Sequence, residues 1–270
     1  MPTDRPVGAA LTLRGIHATH LDHGLCVEAL RDVNLTVDSG EFVSVVGPSG
    51  CGKSTMLSLI AGGMRPTAGE IVVNGIPAIG QPGLVAHMPQ RDLLLPWRTT
   101  INNTILGLEI RGEPRASARQ QALAQFDRFG LRGFADAYPH MLSGGMRQRA
   151  AMLRTILLDQ DILLLDEPFG ALDALTRGEM HEWLLGLRTD LARTILFVTH
   201  DVEEAIYLSD RVYVMTHRPG TMTREVPIDL PRPRKPEMLA SPTFMDAKRT
   251  LLRTLLAETL DPTAQSDSQS

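Results

Sequence analysis

The 270-residue chain is poor in aromatic residues and cysteine, and it has no long apolar run. Aromatic residues make up 4% of the sequence, which disfavours a surface that stacks single-stranded bases. Two cysteines, Cys26 and Cys51, cannot form a disulfide framework, and this predicts a reducing compartment. No stretch approaches ~18 uncharged apolar residues, so we expect no membrane-spanning helix. The N-terminal stretch MPTDRPVGAA does not resemble a signal peptide, and the net charge of -4 argues against nucleic acid as a partner.

Strand and helix patterns alternate along most of the chain. The stretches LTLRGI and ALRDVNLTV alternate apolar and polar residues, which predicts half-buried strands. The stretches FVSVVG, DILLLDEP and TILFVTH are more uniformly apolar, as expected for strands that are buried on both faces. Because helical spacing separates these strands, we predict an α/β fold with a largely parallel sheet covered by helices.

The middle of the chain carries helical patterns only, at TTINNTILGLEIRG, RASARQQALAQFDRFGL and GMRQRAAMLRTILLD. We interpret it as an inserted helical subdomain at residues 91–160. Near the end, PIDLPRPRKPE predicts an extended segment and FMDAKRTLLRTLLAETL an amphipathic helix. The polar tail after it is expected to be disordered. We therefore predict one domain at residues 11–243, followed by a C-terminal helix and tail at residues 244–270.

The segment GPSGCGKS, residues 47–54, matches the phosphate-binding pattern G-x-x-x-x-G-K-[ST]. It lies between a predicted strand and a predicted helix, the context that the pattern requires. Glycines let backbone N–H groups surround an anion, Lys53 can reach the outer phosphates, and Ser54 offers a hydroxyl to Mg²⁺. The alternative, a glycine-rich turn without a ligand, is disfavoured by that context. The expected nucleotide contacts are Gly47, Pro48, Ser49, Gly50, Cys51, Gly52, Lys53, Ser54 and Thr55.

Two carboxylates follow the apolar strand in ILLLDEP. Asp166 and Glu167 lie at its carboxyl end, where open α/β sheets bind ligands. Asp166 suits Mg²⁺, directly or through water, and Glu167 could polarise a water molecule aimed at the γ-phosphate. A lone Asp-Glu pair can equally be two loop acids, but the upstream phosphate loop favours the catalytic interpretation.

Further motifs reveal a family resemblance. LSGGMRQR resembles the signature loop of ATP-binding cassette (ABC) transporter ATPases, GALD their D-loop, FVTHD their switch region, and HMPQRDLLLPW their Q-loop. These motifs occur in the family's order between Leu11 and Val226. The resemblance implies a P-loop NTPase core with a mostly parallel sheet, an antiparallel β subdomain and an inserted α-helical subdomain. It also implies that ATP and Mg²⁺ are the cofactors.

The resemblance gives roles to residues that are ambiguous alone. His200 by itself is a strand-end histidine, and Gln90 a loop amide. In the family, the matching histidine senses the γ-phosphate, and the matching glutamine contacts Mg²⁺ or the attacking water. The family usually has an aromatic residue upstream of the phosphate loop that stacks on adenine, whereas HATHLDHGLCVEAL contains none. His20, Leu21 or His23 would have to take that place.

The resemblance also implies a dimer. In the family, two copies bind two ATP molecules head to tail, each between one phosphate loop and the other copy's signature loop. Ser143, Gly144 and Gly145 would then contact the ATP of a second subunit, most simply in a homodimer, and Asp173 of the D-loop is a further expected contact. Ser143 can also cap its own helix, and the two roles are compatible.

The expected partners follow from the same resemblance. LLPWRTTINNTILGLEIRG and RPGTMTREVPIDLPRPRKPE are similar to the nitrate/sulfonate/taurine-type importer subgroup. This implies integral membrane permease subunits, a solute-binding protein, and a peripheral place at the cytoplasmic face of the membrane. Trp97 and Leu95 suggest a groove for a permease helix, although core packing of the helical subdomain explains them equally well.

Other functions remain to be distinguished from an importer subunit. A soluble ABC-type ATPase of DNA repair or translation typically has two fused cassettes, a long coiled coil or a zinc module. This sequence has one phosphate loop and no Cys-x-x-Cys, which argues against that class. A P-loop kinase has no signature loop. A nucleotide-sensing scaffold without catalysis does not need Lys53, Asp166, Glu167 and His200 together.

Overall fold

The computed structural model describes residues 8–22, 25–170, 172–191 and 193–260. The strands are β1 Ala9–Asp22, β2 Leu25–Asp38, β3 Phe42–Val46, β4 Ala68–Val73, β5 Ile76–Pro77, β6 Ala86–Met88, β7 Ile162–Asp166, β8 Thr194–Thr199, β9 Arg211–Met215 and β10 Met222–Pro227. The helices are α1 Lys53–Ile60, α2 Thr100–Thr104, α3 Leu106–Ile110, α4 Arg115–Phe126, α5 Gly144–Ile156, α6 Ala174–Leu191, α7 Val202–Leu208 and α8 Pro242–Leu260. Short 3₁₀ helices lie at Pro139–Met141 and Pro236–Ala240. In the described ranges, no helix combines the length and apolar character needed to cross a bilayer.

The central sheet has the strand order β10-β9-β3-β8-β7-β6. Strands β9, β3, β8, β7 and β6 are parallel to their neighbours, and β10 is antiparallel to β9. Every residue of β3, β7 and β8 is buried, which explains their nearly continuous apolar sequences. The predicted α/β class is confirmed. The sequence analysis did not predict β10, because its exposed Thr223, Arg224 and Glu225 hide the strand pattern at the sheet edge.

A second sheet is antiparallel, with the order β2-β1-β4-β5. The long strands β1 and β2 carry the alternating pattern of a sheet with one buried face. Gly220, after β9, joins this sheet to the central one: it accepts a hydrogen bond from the Arg31 N–H and donates one to the Ala29 carbonyl, both in β2. The antiparallel sheet therefore lies directly beside the turn that follows β9.

The helical region lies between β6 and β7, with α2, α3, α4 and α5. The sequence predicted helical structure over TTINNTILGLEIRG, and the structure has two short helices there, α2 and α3, with a break at Ile105, which has φ -88° and ψ 0°. Thr104 explains the break, because its hydroxyl donates to the Ile101 carbonyl at 2.8 Å and so competes with regular helix geometry.

The C-terminal helix α8 packs on the central domain through buried Phe244 and Leu251. The helix begins at Pro242, and the Ser241 hydroxyl accepts from the Phe244 N–H at 3.2 Å. The boundary predicted between residues 243 and 244 therefore falls inside the first turn of α8. The tail at residues 261–270, predicted to be disordered, lies outside the described residues.

Candidate active site

The phosphate-binding loop, residues 47–54, connects β3 to α1. Gly52 has a φ of 108°, and a Cβ atom there would lie 2.6 Å from Leu30 Cδ2 and 2.8 Å from the Ala29 carbonyl oxygen. Gly47 is similarly confined, since a Cβ atom would lie 2.7 Å from the Met215 carbonyl oxygen. These glycines let the loop pack closely on β2 and β9 while its N–H groups stay at the carboxyl end of the sheet.

Lys53 is buried at the centre of this loop. Its Nζ donates to the Gly47 and Pro48 carbonyls, both at 2.8 Å, and lies 3.7 Å from Cys51 Sγ. Burial raises the pKa of the Cys51 thiol, so that this side chain stays uncharged beneath the loop. The loop therefore holds one ammonium group where outer phosphates would bind. Ser54 and Thr55 lie in the first turn of α1, and Ser49 and Gly50 are exposed at the crest.

Asp166 is the last residue of β7 and is 4% exposed. Burial is the largest cause of its raised pKa, and the charge of Glu167 raises it further, whereas a hydrogen bond from Ser54 and the charge of Lys53 lower it. Its Oδ1 is buried and has no hydrogen-bond partner. A buried carboxylate oxygen without a partner, beside a helix-start hydroxyl, suits a divalent cation.

Glu167, Gln90 and His200 meet in one place. They follow β7, β6 and β8, which are neighbouring parallel strands whose carboxyl ends lie at the same edge. Gln90 Nε2 donates to Glu167 Oε2 at 3.1 Å, and His200 Nδ1 donates to the same oxygen at 3.1 Å. Glu167 has a φ of 42°, a left-handed conformation that a non-glycine residue rarely adopts. This conformation is typical of functional sites.

These three residues line a cavity of about 570 Å³ together with Arg91, Asp92, Gln148 and Gly170. The sequence analysis did not predict Gln148. It lies one helical turn after Gly144 in α5, is 6% exposed, and its Oε1 is buried without a hydrogen-bond partner. The helical spacing of α5 could have shown that Gln148 faces inward, since Ala151 and Thr155 on the same stripe are also buried.

Ser143, Gly144 and Gly145 of the signature loop do not line this cavity, although Gln148 of the same motif does. Ser143 is exposed and caps α5, with its Oγ accepting from the Met146 N–H at 3.3 Å. Packing requires a glycine at position 145, because a Cβ atom there would lie 2.8 Å from Thr176 Cγ2. Gly144 has no such neighbour closer than 4.0 Å. Open backbone at an exposed helix start remains available to an anion from outside the chain.

Asp173 of the D-loop caps α6. Its Oδ1 accepts from the Thr176 N–H at 3.0 Å, and its Oδ2 accepts from the Thr176 hydroxyl at 2.8 Å. Ala171 of the same motif lies outside the described residues. Of the three residues considered for adenine, His20 and Leu21 belong to β1, and His23 lies outside the described residues.

Comparisons with known proteins agree with this geometry. The family model for ABC transporters matches residues 30–170. The nitrate import ATP-binding protein NrtC of Synechococcus elongatus is 43% identical over 234 residues, which cover 84% of this chain and 35% of that protein. The taurine import ATP-binding protein TauB of Yersinia pestis is 44% identical over 201 residues, which cover 74% of this chain and 79% of that protein.

Solved structures give the same result. The dimeric structure of the bacterial ABC transporter cassette MJ0796 is 30% identical, with a TM-score of 0.72 over 82% of this chain and 99% of that chain. A dimeric post-hydrolysis state of that cassette, bound to ADP and Pi, matches equally well. The resemblance stated from the sequence motifs is confirmed. The chain belongs to the ABC transporter family, as an ATP-binding cassette homologous to nitrate and taurine import ATP-binding proteins.

Proposed function

We propose that this chain is the ATPase subunit that energises an ABC importer for a small solute such as nitrate, a sulfonate or taurine. The observation that carries the proposal is the convergence of Gln90 and His200 on one carboxylate oxygen of Glu167, at 3.1 Å each. The catalytic unit spans residues 11–243 with its helical subdomain at residues 91–160, and residues 244–270 form the C-terminal segment.

The triphosphate binds over the loop at residues 47–54. Backbone N–H groups and the start of α1 hold the phosphates, and Lys53 leaves the Gly47 and Pro48 carbonyls to contact the outer ones. Ser54, Asp166 and Gln90 would hold Mg²⁺; the Asp166 Oδ1 atom, buried without a hydrogen-bond partner, supports this fit. When bound, the metal ion neutralises charge on the phosphates.

Glu167 orients the attacking water and accepts its proton, because its carboxylate is ionisable and already held by two donors. His200 and Gln90 hold the carboxylate and would contact the γ-phosphate or the water from there. The donors that complete the site come from Ser143, Gly144 and Gly145 of a second copy, in the homodimer that the dimeric cassette structures support. ATP binding joins the copies, and hydrolysis releases them.

The helical region presents the surface that suits integral membrane permease subunits. Trp97 is 72% exposed and lines a groove of about 370 Å³ with Tyr138, Glu109 and Arg115. Nearby residues of this region, Leu93, Ile110 and Met141, are also exposed. Exposed aromatic side chains that share a groove, as Trp97 and Tyr138 do, mark interaction sites. Docking there places the chain at the cytoplasmic face of the membrane, and a solute-binding protein supplies the substrate through the permease.

Replacing Trp97 and Leu95 by alanine should separate transport from hydrolysis. With reconstituted permease subunits, we expect solute uptake to fall at least about tenfold, because a Trp that a partner buries is a typical interface hot spot. Basal ATPase of the purified chain should stay unchanged, since neither residue lines the Glu167 cavity. Ile76→Ala, an exposed apolar residue on β5, is the matched control. Uptake equal to wild type would remove the coupling groove from the proposal.

The Asp166→Asn variant should be more stable than wild type without metal. Because burial raises the pKa of Asp166, the folded protein favours the neutral acid. Ionisation of the buried Asp166 therefore destabilises the folded wild-type protein. This destabilisation is absent below the unfolded-state pKa of the aspartate and grows as the pH rises through its folded-state pKa. At neutral pH in EDTA, the midpoint of thermal unfolding of Asp166→Asn should therefore be higher than that of wild type.

Mg²⁺ and ATP together should stabilise wild type more than Asp166→Asn, since the variant lacks the cation's charged ligand. Asp136→Asn, with a side chain that is 88% exposed, controls for the loss of one negative charge. A variant that unfolds at a lower temperature than wild type in EDTA, or that keeps the full shift with Mg²⁺ and ATP, contradicts this assignment of Asp166.

The importer function as a whole is tested by co-purification from membranes together with Mg²⁺-dependent ATPase of the purified chain. We expect recovery with an integral membrane protein and hydrolysis that EDTA abolishes. Recovery with DNA or ribosomes instead would support the soluble ABC-type ATPase of DNA repair or translation.

A further inference from the structure

A buried carboxylate holds the residue immediately before His200. Glu204 of α7 is 5% exposed, and its Oε2 accepts from the Thr199 hydroxyl at 2.6 Å. The same hydroxyl accepts from the Asp201 N–H at 3.0 Å. Thr199 and Asp201 flank His200 in the chain, so the position of the histidine backbone depends on this pair of hydrogen bonds.

A single guanidinium holds the residue immediately after His200. Arg177 of α6 places Nη1 3.5 Å from Asp201 Oδ2 and Nε 3.7 Å from Glu204 Oε1. Its Nη2 donates to the Leu172 carbonyl of the D-loop at 3.0 Å. Arg177 therefore contacts the D-loop and both carboxylates beside the switch region, without lining the Glu167 cavity.

The contact between Arg177 and Glu204 is incomplete in this structure. Arg177 Nε is buried and has no hydrogen-bond partner, since 3.7 Å exceeds hydrogen-bond reach. His181 Nε2 meanwhile lies 3.1 Å from the same Glu204 oxygen. A buried donor and a buried carboxylate separated in this way gain from closer approach. An adjoining cavity of about 470 Å³, lined by all three residues, leaves space for such a movement.

We propose that Arg177 and Glu204 are positioning residues for ATP hydrolysis, which couple the D-loop to His200 of the same chain. The inference rests on the proposed function, in which two copies close on ATP. Closure of the dimer moves the D-loop carbonyl, Arg177 follows it toward Glu204, and Thr199 and Asp201 then hold His200 against the γ-phosphate. The opposing explanation is that the buried charges only stabilise the fold.

The Thr199→Val and Thr199→Ser variants separate the two explanations, because valine has nearly the same shape without the hydroxyl and serine restores it. Glu204→Gln tests the charge. Glu41→Gln is the matched control: Glu41 is a largely buried carboxylate that accepts from Arg211 Nη2 at 2.7 Å, before β3, at the end of the sheet opposite the active site. For each full-length variant, we would measure kcat, KM for ATP and the midpoint of thermal unfolding.

We expect Thr199→Val and Glu204→Gln to lower kcat about tenfold to a hundredfold, the effect of losing a hydrogen bond to a charged group. The KM for ATP should change less than about threefold, since nucleotide binding does not use this junction. Thr199→Ser should recover most of the turnover. Glu41→Gln should lower the unfolding midpoint and leave kcat unchanged. With Glu167→Gln added, the Glu204→Gln chain should still form an ATP-dependent dimer.

Wild-type kcat in both Thr199→Val and Glu204→Gln would overturn the inference. An equal loss of kcat in Glu41→Gln, at a similar fall in the unfolding midpoint, would overturn it as well. Failure of the double variant to dimerise would overturn it too, because the junction would then act in binding. Absence of hydrolysis by the wild-type chain is a separate result, and it contradicts the proposed function itself.

Discussion

The Glu167→Gln variant should lose turnover and accumulate as an ATP-bound dimer. Removal of a general base typically costs about 10²–10⁴-fold in rate, and we expect kcat to fall in that range. Glutamine keeps an acceptor oxygen for the donors of Gln90 and His200, which now bind Glu167 Oε2 at 3.1 Å each. The site therefore keeps its shape and its affinity for ATP, but it cannot take a proton from water.

In the proposed function, hydrolysis separates the two copies, so the dimer should accumulate when hydrolysis is blocked. Size-exclusion chromatography with ATP and Mg²⁺ should show a shift from monomer to dimer in Glu167→Gln, and no shift without nucleotide. Glu70→Gln, at an exposed ion pair with Arg14 on the antiparallel sheet, is the control and should hydrolyse ATP at the wild-type rate. A monomeric Glu167→Gln chain that still hydrolyses ATP at the wild-type rate contradicts the assignment of the base.

The Ser143→Asp variant should keep its stability and lose its activity. Aspartate caps helices as well as serine does, so the hydrogen bond from the Met146 N–H and the start of α5 survive. Its negative charge, however, would face the γ-phosphate of the second subunit's ATP. Loss of one donor to a developing charge costs about 10²–10³ in kcat, and repulsion adds to that loss.

This substitution distinguishes a capping role from a nucleotide-binding role. If Ser143 only caps α5, Ser143→Asp should behave as wild type in both unfolding and hydrolysis. Ser143→Asn, which also caps, lacks the added charge and should lose less activity than Ser143→Asp. We would measure thermal unfolding, ATP binding by the isolated chain and steady-state hydrolysis. Thermal unfolding and ATP binding should stay at wild-type values in both variants, and only hydrolysis should fall.

The parts of the site that are local in sequence could be predicted. The phosphate loop needs glycines for its backbone, and Gln90, Glu167 and His200 each follow a strand, so a parallel sheet had to bring them to one edge. The capping role of Ser143 follows from its place before a helix. In each case, a few adjacent residues carry the physical requirement.

The remaining features depend on contacts between distant segments. Gly145 is needed against Thr176, and Arg177 of α6 reaches Asp201 and Glu204 at the start of α7. No local pattern marks such contacts. The break at Ile105 was missed because the apolar spacing of α2 and α3 is continuous, while competition by the Thr104 hydroxyl becomes visible only with coordinates.

The central claim is that neither copy contains a complete reaction centre, and mixing two inactive variants tests it most directly. The Lys53→Met variant lacks a working phosphate loop but keeps its signature loop. The Ser143→Asp variant lacks a working signature loop but keeps its phosphate loop. Mixed before ATP is added, they should recover about one quarter of wild-type turnover, because half of randomly paired dimers are mixed and each keeps one of its two sites. A mixture as inactive as its components, or full turnover by a chain that stays monomeric, would contradict the claim.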